Sequence, residues 1–453
     1  MSDVEVSSTL WPKVRVGDLC QSINGRAFKS TEWAKQGLPI IRIQNLNRKD
    51  ASFNYFEGTV DEKILVRSGD LLFAWSGTPG TSFGAHIWRG PDAALNQHIF
   101  KLRFDPLRVD AKYFYYALNR NVAGYIDTAQ GGVGLAHVTK SKFENSVVSL
   151  PELRVQREVV AELEKQFSRL DEAVANLKRV KANLKRYKAS VLKDAVEGRL
   201  VPTEAELARR EGRSFETGEQ LLLRILEARR SSWSGRGKFR VSDAPELDAS
   251  ELPEGWTWST IDQLADVGTG ATPNRSKVEY WNDGDVPWVT SGVANGDYVD
   301  KASEFVTQRA LAETNLTLYP AGTLLVAMYG EGKTRGKCAE LRIPATTNQA
   351  LAALQVNDQV RAYLRHFLEL NYEEMRKVAS GGVQPNLNLS LVRAVSVSLP
   401  PLSEQVRIVA EVDRRMSLVR GAEAEVDANL KRAQALRQSI LQSTFRESAN
   451  VSR

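Results

Sequence analysis

The chain has 453 residues, of which 42% are hydrophobic and 26% are charged, and its formal net charge is +6. This length predicts about three domains, and the composition excludes a disordered chain while permitting a polyanionic partner. Two cysteines, Cys20 and Cys338, exclude a disulfide framework and a cysteine metal site. No apolar leader and no run of about eighteen apolar residues is found, so we expect a cytoplasmic protein.

Residues 1–150 alternate short apolar runs with turn residues. The runs at 39–43 and 70–75 predict strands, and the aromatic-rich stretch at 110–124 predicts a short helix. This pattern favours an α+β domain.

Residues 151–198 predict one long helix, because neither Pro nor Gly occurs between 152 and 197. Apolar positions recur there with the 3-4-3-4 spacing of a coiled-coil seam. The seam comprises Val160, Leu163, Phe167, Leu170, Val174, Leu177, Lys181, Leu184, Lys188 and Val191. A single exposed helix of this length, roughly 65 Å, cannot bury such a seam.

Residues 199–250 predict a connector. Gly198 suits the end of the preceding helix, and the apolar residues of 221–226 predict one short helix. The stretch 235–237 and Pro253 mark flexible joints.

The rest of the chain repeats its first part. Leu150-Pro151-Glu152-Leu153 and Gln156 recur 249 residues later as Leu399-Pro400-Pro401-Leu402 and Gln405. Trp11, Gly69 and Asn96-Gln97 recur in the same order as Trp256, Gly322 and Asn348-Gln349. This common order argues against chance. We therefore predict a second α+β domain at 251–399, with strand 323–328 and helix 358–376.

Residues 400–453 predict a second long helix, which we expect to pack against the first. Its seam comprises Val409, Val412, Met416, Val419, Glu423, Val426, Leu430, Ala433, Arg437 and Ile440. The register of the first seam is thus kept at the same offset of 249 residues.

This ordered, duplicated set of landmarks resembles the specificity subunit of type I restriction–modification enzymes, over essentially the whole chain. The matching segments are Pro151 to Glu162, Pro400 to Glu411, Gly198-Arg199-Leu200-Val201 and Leu252-Pro253-Glu254-Gly255-Trp256. One departure is Arg154-Val155, where the second copy has Ser403-Glu404.

The resemblance implies an α+β fold with an internal pseudo-twofold repeat. Two similar α/β target recognition domains, 1–150 and 251–399, would be separated by two long antiparallel coiled-coil helices. It also implies a non-catalytic, sequence-specific subunit that reads a bipartite, asymmetric site in double-stranded DNA for host defence. Its partners would be two methyltransferase subunits and motor–nuclease subunits. No cofactor is expected in this chain, whereas S-adenosylmethionine, ATP and Mg are expected on the partners.

Polar and basic residues near predicted turns are our candidates for DNA contact. In the first domain they are the 131–132 loop with Arg42, Gln44, Asn45, Ser76, Thr78, Thr81, Asn96 and Gln97. In the second domain they are Asn274, Arg275, Ser291, Asn295, Tyr329, Lys333, Arg335, Lys337, Asn348, Gln349 and Gln384. Several could instead only build turns. For the shared Asn-Gln pair, we favour a structural or phosphate-binding role.

Two further features leave alternatives open. The basic stretch 176–188 fits a solvated helix face as well as contact with DNA or a partner. Gly-Lys-Thr at 332–334 suggests a nucleotide-binding enzyme, but a phosphate-binding loop requires Gly where Ala327 stands. The four histidines show no metal-binding spacing. A coiled-coil adaptor that binds proteins instead of DNA is the alternative function.

Overall fold

A computed structural model describes residues 11–48, 50–77, 82–120, 122, 125, 136–233, 238–243, 252–330, 333–373, 375–376 and 386–445. The chain divides into two compact units, Met1–Arg179 with Val426–Arg453 and Val180–Glu425. Each unit holds one α/β domain and part of both long helices. Within the described residues, no helix is long and apolar enough to cross a membrane.

The first unit is built on two four-stranded sheets. One has the strand order 20–24, 99–104, 71–74, 84–87, and the other has the order 54–56, 38–41, 93–95, 65–66. The described strands are Lys13–Arg15, Cys20–Asn24, Leu38–Ile41, Asn54–Phe56, Leu65–Val66, Leu71–Ala74, Ser76–Gly77, Gly84–Ile87, Ala93–Leu95, Ile99–Phe104, Ala136–His137 and Val147–Ser149. The helices of this domain are Val16–Leu19, Ile43–Asn47, Ala111–Arg120 and Lys140–Asn145, with a 3-10 turn at Ser30–Glu32.

The second unit repeats this plan. Its larger sheet has the order 265–269, 351–356, 324–327, 338–341, 298–299, and the smaller has the order 304–306, 286–289, 346–347. The described strands are Thr257–Thr260, Ala265–Thr269, Val286–Val289, Tyr298–Val299, Glu304–Val306, Leu324–Ala327, Cys338–Leu341, Thr346–Thr347, Leu351–Val356 and Ser396–Leu399. The helices are Glu204–Glu211, Gly218–Ser231, Ile261–Leu264, Gln308–Glu313, Asp358–Leu370 and Leu389–Arg393, with 3-10 turns at Val278–Tyr280 and Ser291–Asn295.

One central strand in each domain is apolar throughout because both of its faces are buried. Alternate residues of a strand point to opposite faces. Leu71 and Phe73 therefore lie in one hydrophobic core and Leu72 in another. Strand Leu324–Ala327 divides its side chains between two cores in the same way.

The internal repeat predicted from the sequence is confirmed by matching side-chain contacts. The Tyr113 hydroxyl donates to Ser149 O at 2.7 Å, and the Tyr363 hydroxyl donates to Ser398 O at 2.7 Å. All four positions are buried. The landmark glutamines also agree, because each donates from Nε2 to a proline carbonyl at 2.8 Å. These pairs are Gln156 with Pro151 and Gln405 with Pro400.

Two long helices, Leu153–Val196 and Leu402–Thr444, follow the domains. In the first unit Arg437 pairs with Asp171 at 2.6 Å, and its guanidinium lies 4.2 Å from the centroid of the Phe167 ring. Predicted seam residues are thus in contact there.

In the second unit, the end of the first long helix meets the start of the second. The Ser398 hydroxyl donates to Val196 O at 3.0 Å, and Leu192 shares a core with Ile408 and Val412. The two helices are therefore antiparallel. One detail of the seam differs from the prediction, since Ile408 is buried at 1% exposure whereas its neighbour Val409 is only partly buried.

The short helix predicted from the apolar residues of 221–226 is confirmed as Gly218–Ser231, and the described part of the connector holds a second helix, Glu204–Glu211, that was not predicted. Helix Glu204–Glu211 begins at a capping box in which Thr203 Oγ1 accepts the Glu206 N–H, and Gly212 ends it at φ +66°. Gly198, at φ +69°, ends the first long helix as predicted. The predicted joint at 235–237 lies outside the described residues.

Candidate nucleic-acid interface

Three candidates of the first domain lie together at the helix Ile43–Asn47. Asn45 is buried, with Oδ1 accepting the Arg42 N–H at 3.0 Å and Nδ2 donating to Ser52 O at 3.2 Å. These bonds give Asn45 a structural role in starting the helix. The Arg42 guanidinium donates to Asn54 Oδ1 at 3.1 Å, and the Gln44 side chain is exposed.

The shared Asn-Gln pair forms the same turn in both domains. The Asn96 N–H donates to Ile41 O at 3.1 Å, and the Asn348 N–H donates to Val289 O at 3.0 Å. The carbonyls of both asparagines then accept an N–H three residues later, each at 3.3 Å. These backbone bonds fit the structural role that we favoured.

The glutamines of this pair differ in their surroundings. Gln97 Oε1 is buried without a hydrogen-bond partner among the described residues, whereas the exposed Gln349 accepts the Thr272 hydroxyl at 2.8 Å. Contact of either glutamine with DNA stays a prediction.

Ser76 lies in an aromatic and imidazole cluster that joins distant parts of the first domain. Strand Ser76–Gly77 pairs with Ala136–His137, so the buried Ser76 Oγ lies 3.2 Å from His137 Nε2. The Trp75 ring lies 5.3 Å from that of His98 and 5.2 Å from that of His137. Desolvation lowers the pKa of His98, and the positive charge of Arg42 acts in the same direction.

A cavity of about 490 Å³ opens beside this cluster. It is lined by Asn24, Trp75, Phe100, His137, Val138, Thr139, Lys140 and Lys142. Thr78, Thr81, Gln384 and the 131–132 loop lie outside the described residues.

In the second domain, Asn274 and Arg275 occupy one turn. Asn274 Oδ1 accepts the Ser276 N–H at 3.0 Å, which is a turn-building bond. The Arg275 guanidinium lies 3.8 Å from the centroid of the Trp281 ring and donates to Glu304 at 2.5 Å. Stacking and ion pairing thus hold the Arg275 side chain in place.

Six further candidates surround the loop before strand Cys338–Leu341. Asn295, at the end of the 3-10 turn that Ser291 begins, accepts Lys337 Nζ at 3.1 Å and donates to Thr334 Oγ1 at 3.2 Å. Lys333 is exposed, and Tyr329 is 39% exposed. The main-chain carbonyl of Arg335 accepts Arg376 Nη1 at 3.2 Å.

Within the second unit, this loop borders a cavity of about 740 Å³ that also receives side chains of the first long helix. Its cationic lining residues are Lys185, Lys188, Lys333, Lys337, Arg365 and Arg376. Lys188, from the basic stretch 176–188, lies 2.7 Å from Glu369. Burial alone would raise the pKa of Glu369, but hydrogen bonds from His366 and Lys188 outweigh it and lower the pKa to about 2.

The Gly-Lys-Thr segment lacks the structural context of a phosphate-binding loop. Such a loop leads from a strand into a helix. Here the next described element is strand Cys338–Leu341, which pairs antiparallel with Leu324–Ala327. The described residues of this segment therefore belong to a strand–loop–strand unit.

A known protein family matches most of this chain. The family model described as "Type I restriction modification DNA specificity domain" matches residues 9–186 and 253–425. The chain belongs to this family. Specificity subunits of type I restriction–modification systems are the non-catalytic components that recognise DNA targets, and this subunit therefore has that general role.

Individual relatives of this specificity subunit cover most of its length. The type I restriction enzyme EcoBI specificity subunit of Escherichia coli is 23% identical, over 96% of this chain and 85% of its own. The MjaVIII specificity subunit of Methanocaldococcus jannaschii is 21% identical, over 87% and 83%. A solved structure from work on complex assembly and conformational transition of the type I R-M system agrees in fold. It has a TM-score of 0.63 and 18% identity, over 96% of this subunit and 98% of that chain.

Sequence reasoning missed several side chains of the specificity subunit that lie beside its candidates. Trp75 and His137 are far apart in sequence and meet only through the pairing of two short strands. Aligning the two halves would have given a signal, because Trp75 corresponds to a methionine in the second copy. The candidates joined by hydrogen bonds include Arg42 with Asn45 in the first domain and Asn295 with Lys337 in the second.

Proposed function

We propose that each α/β domain of this specificity subunit binds one half of a bipartite, asymmetric site in double-stranded DNA. The observation that carries the proposal is that the two domains share their scaffold contacts and differ in their exposed side chains. Tyr113 and Tyr363 make the same bond, whereas Gln97 buries its Oε1 and the equivalent Gln349 is exposed. Two readers with one scaffold and unlike surfaces favour two unlike half-sites.

Arg42 and Arg275 suit base recognition because their side chains are held in place. The Arg42 guanidinium lies 5.0 Å from the centroid of the Trp33 ring, and Arg275 lies 3.8 Å from that of Trp281. A planar guanidinium fixed against an indole loses little entropy when it donates two hydrogen bonds to guanine O6 and N7. The lysines around Asn295 would neutralise phosphates and set the register of the domain on the duplex.

The long helices act as the spacer between the half-sites and as the docking surface for partner subunits. These partners are two methyltransferase subunits, which carry S-adenosylmethionine, and motor–nuclease subunits, which carry ATP and Mg. The exposed basic residues Lys178, Lys185 and Arg186 of the first long helix offer charge for such contacts. The subunit itself would hold no cofactor and would act in the cytoplasm.

A domain exchange tests this function. Replacing residues 1–150 with the corresponding domain of another specificity subunit should change one half of the methylated sequence and leave the other half intact. Mapping methylated bases in genomic DNA from cells that carry the complete system would report both halves. A wild-type system that methylates no bipartite sequence contradicts the proposal, as does an exchange that alters both halves. In a footprinting experiment on the complex with its methyltransferase subunits, absence of protected DNA at every salt concentration would favour the adaptor alternative.

A further inference from the structure

Backbone hydrogen bonds align the region of the first-domain cavity with its counterpart in the second domain. The Val138 N–H donates to Trp75 O at 3.0 Å, and the Leu387 N–H donates to Met328 O at 3.1 Å. Each bond ties the residue after a central strand to the segment that leads into a short helix. Trp75 therefore corresponds to Met328, and Val138 corresponds to Leu387.

The short helices that follow begin in the same way. Thr139 Oγ1 accepts the Lys142 N–H, and Asn388 Oδ1 accepts the Leu391 N–H. The residues that follow Lys142 and Leu391 are Phe143 and Val392, and each is buried at 0% exposure. The equivalent pairs are thus His137 with Asn386, Lys140 with Leu389 and Lys142 with Leu391.

The chemistry at these equivalent positions is different in the two domains. In the second domain, Met328 is buried at 3% exposure, and Leu389 and Leu391 pack against the core. In the first domain, the same positions carry an indole, an exposed imidazole and two exposed ammonium groups around a cavity. The shared scaffold accommodates apolar residues at these positions in one domain and polar residues in the other, so folding does not require the polar residues.

We propose that this cavity, which we call the Trp75–His137 cavity, contacts DNA and determines part of the sequence preferred by the first domain. The inference rests on the proposed function and deepens it. The ligand class is a base edge of the first half-site together with the adjacent phosphates. A position shared by the two domains, such as the Asn-Gln pair, serves the scaffold, whereas a position that differs between them can serve selectivity.

The geometry suits His137 for reading a base edge. Ser76 Oγ, at 3.2 Å from Nε2, fixes the orientation of the exposed ring, and Ser76 is itself 6% exposed. The described residues place no hydrogen-bond partner on the second ring nitrogen, Nδ1. An imidazole N–H donates to base acceptors such as guanine O6 or N7, and an unprotonated ring nitrogen accepts from base amino groups. Ser76 acts here as a positioning residue.

The two lysines suit the phosphates beside that base. Both side chains are exposed at the rim, and Lys140 Nζ makes a long ion pair of 3.7 Å with Glu144. Exposed pairs of this kind are weak, so a phosphate can replace the carboxylate. Each phosphate that a lysine neutralises steepens the salt dependence of binding by about one counterion.

The first test replaces His137 by the residue that the second domain has at that position. The complete complex with its methyltransferase subunits, wild type or His137→Asn, is offered a plasmid library in which the methylated sequence is randomised one base pair at a time. The variant should lose selectivity by roughly tenfold or more at one or two base pairs of the first half-site. Selectivity in the second half-site should stay that of the wild type.

The second test uses residues whose replacement cannot disturb a core. The double variant Lys140→Ala, Lys142→Ala should bind every sequence more weakly with unchanged base preference. Its slope of log affinity against log salt should be smaller by about two. The matched control is Lys112→Ala, another exposed lysine of the same domain, paired with Glu164 outside the cavity, which should change neither quantity.

The outcomes separate this inference from the proposed function. Wild-type selectivity in His137→Asn, equal loss in both half-sites, or an unchanged salt slope in the lysine variant would each overturn the cavity assignment. In those cases a wild-type complex that still methylates a bipartite sequence leaves the proposed function standing. A wild-type complex that methylates none contradicts the function itself.

Discussion

Arg407→Met should loosen the connector from the second long helix. Glu204 is the first residue of helix Glu204–Glu211 and is buried at 2% exposure. Its carboxylate lies 2.7 Å from Arg407 Nη1 and 2.6 Å from Arg213 Nη1. Methionine keeps the aliphatic stem of Arg407 and removes one of the two positive charges. The buried carboxylate of Glu204 then keeps one charged partner.

The size of the effect follows from the burial of Glu204. Removing one partner of a buried ion pair costs about 3–5 kcal/mol when the other charge is left alone. Because Arg213 remains and the Arg407 side chain is 31% exposed, we expect a smaller loss of about 2 kcal/mol, below that range. A loss of that size speeds hydrogen exchange of the protected amides in Glu204–Glu211 by about 30-fold.

Hydrogen exchange followed by mass spectrometry measures this locally, which suits a protein with more than one unit. The control is Arg414→Met on the same long helix. Arg414 pairs with Glu411 at 2.7 Å and is 61% exposed, so its loss should leave exchange in Glu204–Glu211 unchanged. Equal exchange in Arg407→Met and the wild type would refute the reasoning, as would equal acceleration by the control.

Two further predictions concern the pH dependence of stability and the spacing of the half-sites. Burial raises the pKa of Glu404 from 4.5 to about 6, so the unfolded chain loses this proton first and stability falls as the pH rises through that window. The loss of stability over this window is about 2 kcal/mol, and Glu404→Gln should remove it because glutamine does not titrate. As the pH rises from 4.5 to 6, the denaturation midpoint of the variant should therefore rise relative to that of the wild type. A difference in midpoint that stays constant with pH contradicts the assignment. Inserting one heptad into each long helix adds about 10 Å of rise and should widen the gap in the methylated sequence by about three base pairs. An unchanged gap would show that the helices are not a spacer.

The long helices could be predicted because a buried seam and its 3-4 spacing are linked by helix geometry. The connector was harder. Helix Glu204–Glu211 has few apolar residues, so periodicity misses it, and its sequence signal is the capping box of Thr203 and Glu206. The sequence also does not predict which residue lies in the seam at 408–409. Ile408 and Val409 are adjacent and apolar, and only packing decides which one is buried.

The candidate site was predicted less well for a physical reason. An Asn side chain serves equally well to hold a helix start or to read a base, and Asn45 does the former because it meets the Arg42 N–H. The cluster of Trp75 and His137 depends on the pairing of strands Ser76–Gly77 and Ala136–His137. Pairing over such a separation depends on the tertiary fold, and no spacing in the sequence encodes it.

The duplication supplies the comparison that a single domain would lack. Where the two copies keep both the side chain and its bond, as for Tyr113 and Tyr363, the fold accounts for the residue. Where the backbone bonds agree and the side chains differ, as for Trp75 and Met328, the fold accounts for the position but not for its chemistry. A protein whose two domains must prefer different sequences needs positions of the second kind. The Trp75–His137 cavity is such a position, with an exposed imidazole and two exposed lysines at its rim.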